Sequence, residues 1–215
     1  MTLGQEKHMT RVPVQLQKIL DNKGRLLIAI DGRCGCGKSS LGAELAESLD
    51  ANLFHMDDFY LPFRQRVENW QSVPAGNMDL TRFRSEVLEP AINRQEILYR
   101  AFSCPQRRYV QEKRLPPKKV NIVEGSYSQH PLLSDAYDVK LFVTAGKSIQ
   151  ETRLRAREGD HYKAFEEIWI PMEEHYFRYF SIENNADCII RTDTDPSIWT
   201  WRTIIEKEAN SFQLL

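Results

Sequence analysis

The chain has 215 residues, which is enough for one domain with a substantial core. Hydrophobic residues make up 41% and charged residues 27% of it, values near the average for a globular protein, so a fibrous or wholly disordered chain is excluded. The formal net charge of −1 gives no global basic field that would attract nucleic acid or an acidic membrane. We therefore expect neither nucleic acid nor a membrane among its partners.

The N-terminal residues and the cysteines bear on the compartment of the protein. Residues 1–11 are polar and lack the apolar core of an export signal, and no run approaches the ~18 apolar residues that span a bilayer. The cysteine spacing fits neither an ordinary disulfide nor a zinc site. We expect free thiols at Cys34, Cys36, Cys104 and Cys188. The sequence thus predicts a cytoplasmic protein, and it leaves a homo-oligomer open.

The first half of the chain alternates between helix and strand patterns. Apolar residues at helical spacing predict a short helix over residues 12–20, and the continuous apolar run 26–30 is typical of a strand buried on both faces. Helices are predicted over 39–49 and 80–92, with a short strand over 53–55 between them. Residues 93–119 mix aromatic residues, proline and charge, and we expect a hairpin or flap that leaves the main sheet.

The second half repeats the alternation. Strands are predicted over residues 120–123, 139–143 and 188–190. Helices are predicted over 148–157, 165–180 and 198–208, with Pro171 interrupting or starting part of the second of these. Strands that alternate with helices favour an α/β fold: a three-layer α/β/α sandwich with a mainly parallel sheet. No change of composition marks a boundary, so we expect residues 1–215 to form a single domain.

The strongest motif is a phosphate-binding loop, or P-loop. Residues 32–39 match G-x-x-x-x-G-K-[ST] completely, after a predicted buried strand and before a predicted helix. Glycines let backbone N–H groups wrap around phosphate, and the helix N-terminus adds its dipole. Lys38 is expected to neutralise the β and γ phosphates, and Ser39 to take one position on Mg²⁺. The fold class is therefore that of P-loop NTPases, and the expected nucleotide-binding residues are Gly32, Gly35, Cys36, Gly37, Lys38, Ser39 and Ser40.

Two carboxylates are placed to complete a phosphotransfer site. Asp57 and Asp58 follow the second predicted strand, and ligands of open parallel sheets bind beyond the carboxyl ends of the strands. Adjacent side chains point in different directions, so we assign catalysis to Asp57 and a capping role to its neighbour. Glu124 closes the third apolar strand, where a carboxylate would hold Mg²⁺ directly or through water. Ser39, Glu124 and Asp57 are thus the candidate metal ligands.

Three arginines recur after the fourth predicted strand. Arg153, Arg155 and Arg157 lie on a predicted helix, and Arg153 and Arg157, four residues apart, share a face. We expect Arg153 to bind nucleotide and Arg157 to cover the charge of the transferring phosphate. The glycine-containing segment after them predicts a lid over about residues 153–165 that excludes water.

Taken in order, these motifs resemble the uridine kinase-like family, with nicotinamide riboside kinase, phosphoribulokinase and bacterial pantothenate kinase as relatives. The resemblance covers about residues 26–190 and includes six segments: the P-loop, Met56-Asp57-Asp58-Phe59-Tyr60, Asn77-Met78-Asp79, Val123-Glu124-Gly125, Lys140 to Val143, and Thr152-Arg153-Leu154. It implies the P-loop kinase fold, ATP and Mg²⁺.

The same resemblance assigns roles on the acceptor side. It makes Asp57 the catalytic base, places Tyr60 near the acceptor, gives Asp79 the ribose hydroxyls, and sets Arg157 beside the acceptor. Tyr99 matches a tyrosine of the family's base-reading cluster. Cys104 stands at that cluster's histidine, and residues 159–163 replace the Arg-Gly-Arg of the lid.

The function that follows is transfer of the γ-phosphate of ATP to a hydroxyl of a small metabolite. A nucleoside is the favoured acceptor, with nicotinamide riboside, pantothenate or another non-pyrimidine acceptor as alternatives. An alternative of another class is a nucleotide-binding regulatory P-loop protein without kinase activity.

Overall fold

A computed structural model of the chain describes residues 14–193 and 199–201. Its strands are β1 (Leu26–Gly32), β2 (Asn52–His55), β3 (Ile97–Ser103), β4 (Arg108–Leu115), β5 (Val120–Glu124), β6 (Val139–Thr144), β7 (Cys188–Arg191) and β8 (Trp199–Trp201). Its helices are α1 (Val14–Lys23), α2 (Lys38–Ser48), α3 (Leu80–Phe83), α4 (Glu89–Ile92), α5 (Pro131–Ser134), α6 (Lys147–Glu158), α7 (Tyr162–Ala164), α8 (Ile170–Tyr179) and α9 (Ile182–Asn185).

Six strands form the main sheet in the order β2-β5-β1-β6-β7-β8. Strand β1 is central: Ile28 pairs with Ile122 of β5 on one side and with Val139 of β6 on the other. The pairs β1–β5, β1–β6, β2–β5 and β6–β7 are all parallel. All residues of β1 and β5 are buried, as continuous apolar runs predict for a parallel sheet covered on both faces. The predicted mainly parallel sheet is confirmed.

Alternating side chains of the strands enter two separate cores, one on each face of the sheet. Leu26 and Ile28 of β1 pack with Leu16 of α1 and Leu45 of α2. Leu27, between them in the sequence, packs on the other face with Phe83 and Val87 of the α3–α4 region and with Tyr176 and Phe177 of α8. Each fully buried aliphatic side chain contributes about 1.5–3 kcal/mol. Helices therefore cover both faces, which confirms the α/β/α sandwich.

The helices predicted over residues 80–92 and 165–180 are confirmed, and each contains one turn that departs from α-helical geometry. A π-helical turn, Arg84–Leu88, joins α3 to α4, and a second one, Phe165–Trp169, joins α7 to α8. Pro171 lies in the first turn of α8, directly after the second π-helical turn. Proline cannot donate the N–H bond that a regular α-helix needs from this position, so a departure from α-helical geometry is expected there.

The predicted closing helix over residues 198–208 is wrong at residues 199–201. These residues form β8, an antiparallel edge strand in which Trp201 pairs with Cys188 of β7. Aromatic and β-branched residues such as Trp-Thr-Trp favour strands, and an available sheet edge decides the outcome. Residues 202–208 of that prediction lie outside the described residues, as do residues 12 and 13 of the first predicted helix.

The segment predicted as a flap contains a β-hairpin that lies outside the main sheet. Strands β3 and β4 pair antiparallel, with Tyr99 opposite Lys113 and Phe102 opposite Tyr109. The predicted lid segment holds the end of α6, a 3₁₀ turn over Gly159–His161 and α7. Their roles as flap and lid stay predictions.

Gly32, the last residue of β1, is where the sheet leaves no room for a side chain. Its φ is 137°, and a Cβ placed there would lie 2.0 Å from the carbonyl oxygen of Val143. We expect Gly32→Ala to lower the free energy of unfolding by about 3 kcal/mol through strain and the clash, measured by urea denaturation.

Gly159→Ala is the matched control. Its φ is also positive, at 53°, but a Cβ there has nothing within 4 Å. Gly159→Ala should lower the free energy of unfolding by about 1–2 kcal/mol, through backbone strain alone. Equal losses for the two variants would contradict the steric argument.

Candidate active site

The P-loop links the central strand β1 to the N-terminus of α2. Gly35 and Gly37 have φ of 74° and 91°, conformations that a side chain disfavours, and Lys38 is the first residue of α2. The Lys38 ammonium donates a hydrogen bond to the carbonyl oxygen of Gly32 at 2.6 Å and so ties the end of the loop to its beginning. The backbone is thus wrapped at a helix N-terminus, which suits phosphate.

Ser39 and Glu124 meet at the side of this loop. The Ser39 hydroxyl lies 3.2 Å from both carboxylate oxygens of Glu124, which ends β5 next to β1. His55 Nδ1 lies 2.5 Å from the same carboxylate, which raises the pKa of His55. A hydroxyl and a carboxylate are hard oxygen donors of the kind Mg²⁺ takes beside substrate phosphates. The residues present therefore fit a magnesium ion.

Asp57 reaches the cleft from the loop after β2. That loop begins with a 3₁₀ turn over Met56–Phe59, and the Tyr60 hydroxyl donates to Asp57 Oδ1 at 2.9 Å. The side chain is exposed to the cleft, yet the protein around it removes enough water to raise the pKa of Asp57, against the lowering effect of Tyr60. A carboxylate with a raised pKa is a better proton acceptor.

The neighbouring Asp58 points elsewhere. It accepts hydrogen bonds from the Tyr99 hydroxyl at 2.9 Å and from the Lys113 ammonium at 2.6 Å. Asp58 therefore anchors the β3–β4 hairpin, and it does not cap a helix as the sequence predicts.

Asp31, the residue before Gly32, is fully buried and joins three segments. Its carboxylate accepts hydrogen bonds from the N–H groups of Gly32 and Gln129 and from the hydroxyl of Tyr176 on α8, all at 2.8–3.0 Å. Burial raises the pKa of Asp31 to about 6, although these donors and the Lys38 cation act in the opposite direction.

Helix α8 also holds the P-loop through two adjacent glutamates. Glu174 accepts from Arg33 Nε at 2.6 Å, and the same guanidinium lies 5.7 Å from the Phe177 ring centroid. Glu173, one residue earlier, accepts from the Cys34 backbone N–H at 2.9 Å and from the Ser126 hydroxyl. The conformation of the loop is thus set by α8 as well as by its glycines.

The three arginines of α6 lie on two faces of the helix, as their spacing predicts. Arg153 and Arg157 line the cleft, while Arg155 pairs with Glu151 away from it. Arg153 donates to the hydroxyl and carbonyl oxygens of Thr192 at 2.7 and 2.8 Å, which fixes its guanidinium beside the P-loop.

One cleft of about 1290 Å³ collects most of these groups. Of the predicted site residues, it is lined by Gly35, Cys36, Gly37, Lys38, Ser39, Ser40, Asp57, Tyr60, Glu124, Arg153 and Arg157. Gly32, Asp79 and Tyr99 are not part of the lining. Gly32 lies at the root of the loop, and Tyr99 is held by Asp58. Asp79 caps α3 by accepting from the Arg82 N–H, and it pairs with that arginine's side chain.

Sequence reasoning missed several residues of this cleft. They include Trp70, Asn77, Ser126, Tyr127, Trp169, Glu173 and Thr192. The sequence held a signal for two of them. Asn77 belongs to the same short motif as Asp79. Glu173 lies four residues after Trp169, a spacing that puts Trp169 and Glu173 on one face of a helix.

All four predicted free cysteines are free thiols in the structure. Cys34 and Cys36 are buried within the P-loop, and burial raises the pKa of both thiols. A protonated, buried thiol is a poor nucleophile, so these residues serve as small apolar side chains in the turn.

Across the described part of the chain, every helix is too short or too polar to span a lipid bilayer.

Comparison with known proteins gives structural neighbours alone. No family model matches the sequence, and no curated protein does. A possible uridine kinase from Bacillus stearothermophilus superposes with a TM-score of 0.60 at 15% identity, over 82% of this chain and 97% of the other. A candidate fructose transport system kinase from Silicibacter sp. TM1040 gives a TM-score of 0.58 at 24% identity, over 80% and 94%.

A third neighbour is YFH7 from Saccharomyces cerevisiae, a candidate P-loop kinase with a circular permutation. Its TM-score is 0.52 at 13% identity, over 85% of this chain and 98% of that one. At such identities the likeness shows the fold. The chain has the α/β P-loop NTPase fold that these neighbours share.

The Asp31 network predicts a specific dependence of stability on pH. The pKa of Asp31 is about 6 in the folded protein against 3.8 for a free side chain, so its stabilising contribution is complete below pH 3.8 and is lost as the pH rises through 6. The loss amounts to about 3 kcal/mol. Asp31→Asn, which does not titrate, should lack this part of the pH dependence of the free energy of unfolding, measured by urea denaturation between pH 4 and 7.

Tyr176→Phe serves as the companion variant. It removes one donor from Asp31, so the pKa should rise further and the loss should extend to higher pH. A difference between wild type and Asp31→Asn that does not change with pH would contradict the assignment.

Proposed function

We propose that this protein is an ATP-dependent phosphotransferase that moves the γ-phosphate of ATP to a hydroxyl of a small metabolite. One observation carries the proposal: Asp57, Lys38 and Glu124 line the same cleft as the glycine loop, although they come from three different strand ends. Phosphoryl transfer needs little besides a phosphate cradle, positive charge and an oriented acceptor, and this cleft offers a residue for each.

The loop and its lysine bind the phosphates. N–H groups of the loop and of the first turn of α2 take the phosphate oxygens. Lys38 gives one of its three N–H donors to Gly32 and has the others for phosphate. Ser39 and Glu124 would hold Mg²⁺, which supplies charge neutralisation on the phosphates when bound.

Asp57 handles the proton of the acceptor. Because Tyr60 engages Oδ1, Oδ2 is the atom that we propose accepts a hydrogen bond from the acceptor hydroxyl and takes its proton late in the transfer. Arg157, on the lid side of the cleft, covers charge on the transferring group, and Arg153 contacts the nucleotide.

We favour a nucleoside as the acceptor. The resemblance to uridine kinase supports this choice, and so does an aromatic wall of the cleft in which the Trp70 and Trp169 rings lie 6.0 Å apart. Aromatic walls suit planar rings. Nicotinamide riboside, pantothenate or another non-pyrimidine acceptor is the alternative, and a nucleotide-binding regulatory protein is the alternative of another class.

A coupled ADP-release screen separates these classes. The purified protein with ATP and Mg²⁺ should release ADP at a rate that rises at least tenfold with one of uridine, nicotinamide riboside, pantothenate or fructose. Release at the same rate with every acceptor and with none would contradict the kinase proposal and favour the regulatory class.

Asp57→Asn tests the proposed base. Loss of a general base costs two to four orders of magnitude in rate, so kcat should fall at least about 100-fold while the Kd for ATP changes less than about threefold. Asp58→Asn is the matched control, because it removes the adjacent carboxylate, which holds the hairpin outside the cleft. A variant at position 57 that turns over normally would show that Asp57 is not the base.

A further inference from the structure

Cys34, the third residue of the P-loop, is held on both sides by polar side chains. Its N–H donates a hydrogen bond to Glu173 Oε2 at 2.9 Å, and its carbonyl oxygen accepts one from Gln150 Nε2 at 2.9 Å. All three residues are buried. A hydrogen bond made away from water is costly to break, because its partner is left unsatisfied. The two bonds therefore fix the peptide groups before and after Cys34.

The two side chains come from the helices on either side of the predicted lid segment, residues 153–165. Gln150 lies on α6, which enters the segment, and Glu173 lies on α8, which follows the π-helical turn after it. The buried apolar residues of the segment are Leu154 and Tyr162. Both pack with Cys34 in a small cluster that is separate from the two main cores. The predicted lid segment is thus seated on the P-loop at Cys34.

Helix α6 also reaches the next two residues of the loop. A Cβ on Gly35 would lie 2.8 Å from Leu154 Cγ, so the helix leaves no room for a side chain there. The Thr192 hydroxyl accepts a hydrogen bond from Arg153 and donates one to the Cys36 carbonyl oxygen at 3.0 Å. The helix therefore contacts residues 34 and 35 directly and residue 36 through Thr192.

The bond from Gln150 sets the direction of a possible phosphate donor. A trans peptide group is planar, and its C=O and N–H point in opposite directions. Because the Cys34 carbonyl points to α6, the N–H of Gly35 points away from that helix. This N–H has no hydrogen-bond acceptor among the described residues, and Gly35 lines the cleft. The Gly35 N–H is therefore available to a phosphate oxygen, whereas the Cys34 N–H is engaged by Glu173.

We propose that Gln150 and Glu173 are positioning residues that form a clamp on Cys34. The clamp aims the Gly35 N–H at the phosphate of the nucleotide, and it joins the P-loop to the helices at both ends of the predicted lid segment. Nucleotide in the loop and order in the lid segment then stabilise each other, since a coupling between two sites acts in both directions. The proposal rests on the proposed function.

Three variants test the clamp. Gln150→Met and Glu173→Met keep unbranched side chains of similar length and remove the groups that bond to Cys34. Glu173→Gln is the conservative variant: it keeps an oxygen for the Cys34 N–H, and its amide can donate to the Ser126 hydroxyl. Restored behaviour in Glu173→Gln separates the hydrogen bond from the charge.

Asn52→Leu is the matched control for a general loss of stability. The buried Asn52 side chain donates from Nδ2 to the Pro116 carbonyl oxygen at 2.9 Å, a bond of the same kind as that from Gln150, and it lies outside the cleft lining. This variant should lower the melting temperature without changing the P-loop.

Two measurements are made on each protein: the Kd for ATP with Mg²⁺ by calorimetry, and amide hydrogen exchange over residues 155–165 with and without ATP. In wild type, ATP should slow exchange there at least about fivefold. Gln150→Met and Glu173→Met should raise the Kd at least about tenfold and reduce the effect of ATP on exchange to less than about twofold. Glu173→Gln and Asn52→Leu should stay within about threefold of wild type in both measurements.

The outcomes separate the clamp from the kinase proposal. Wild-type behaviour of both methionine variants, or a loss of affinity in Asn52→Leu as large as theirs, overturns the clamp and leaves the kinase proposal standing. So does a Glu173→Gln variant that behaves like Glu173→Met. The expected variant effects in a protein whose ADP release responds to no acceptor support the clamp and overturn the kinase proposal. A wild-type protein that does not bind ATP overturns both.

Discussion

Asp31 is the point at which the central strand, the loop after β5 and helix α8 are joined. A fully buried carboxylate is costly unless its oxygens are hydrogen-bonded, and here the donors come from Gly32, Gln129 and Tyr176. The P-loop, the strand end that carries Glu124 and the helix that carries Glu173 therefore cannot separate without leaving that carboxylate without partners.

In each of two pairs of adjacent acidic residues, one carboxylate lines the cleft and the other forms an ion pair with a basic side chain. Asp57 faces the cleft while Asp58 anchors the hairpin, and Glu173 faces the cleft while Glu174 holds Arg33. Neighbouring residues on an α-helix or a 3₁₀ turn point about 100–120° apart, so the two carboxylates of each pair reach different partners.

Local patterns predicted the parts of the site that are made of contiguous residues. The glycine loop, the strand-end position of Glu124 and the shared face of Arg153 and Arg157 each follow from spacing within a few residues. The prediction for residues 199–201 was wrong because it depended on a remote partner: these residues join the sheet edge, since pairing with β7 outweighs local helical spacing. Asp79 pairs with Arg82 at a helix start, and its role toward an acceptor stays a prediction.

The sequence by itself determined the alternation of strands and helices, the phosphate loop and the placement of two carboxylates beyond strand ends, because hydrophobic period and backbone conformation act over short distances along the chain. The tertiary structure alone decided which remote residues share the cleft. Asn77 and Glu173 are almost a hundred positions apart, and both line the cleft because α8 packs on the face of the sheet that also carries the loop after β2. Burial, hydrogen-bond partners and the raised pKa of Asp31 arise from that packing, which no local pattern encodes.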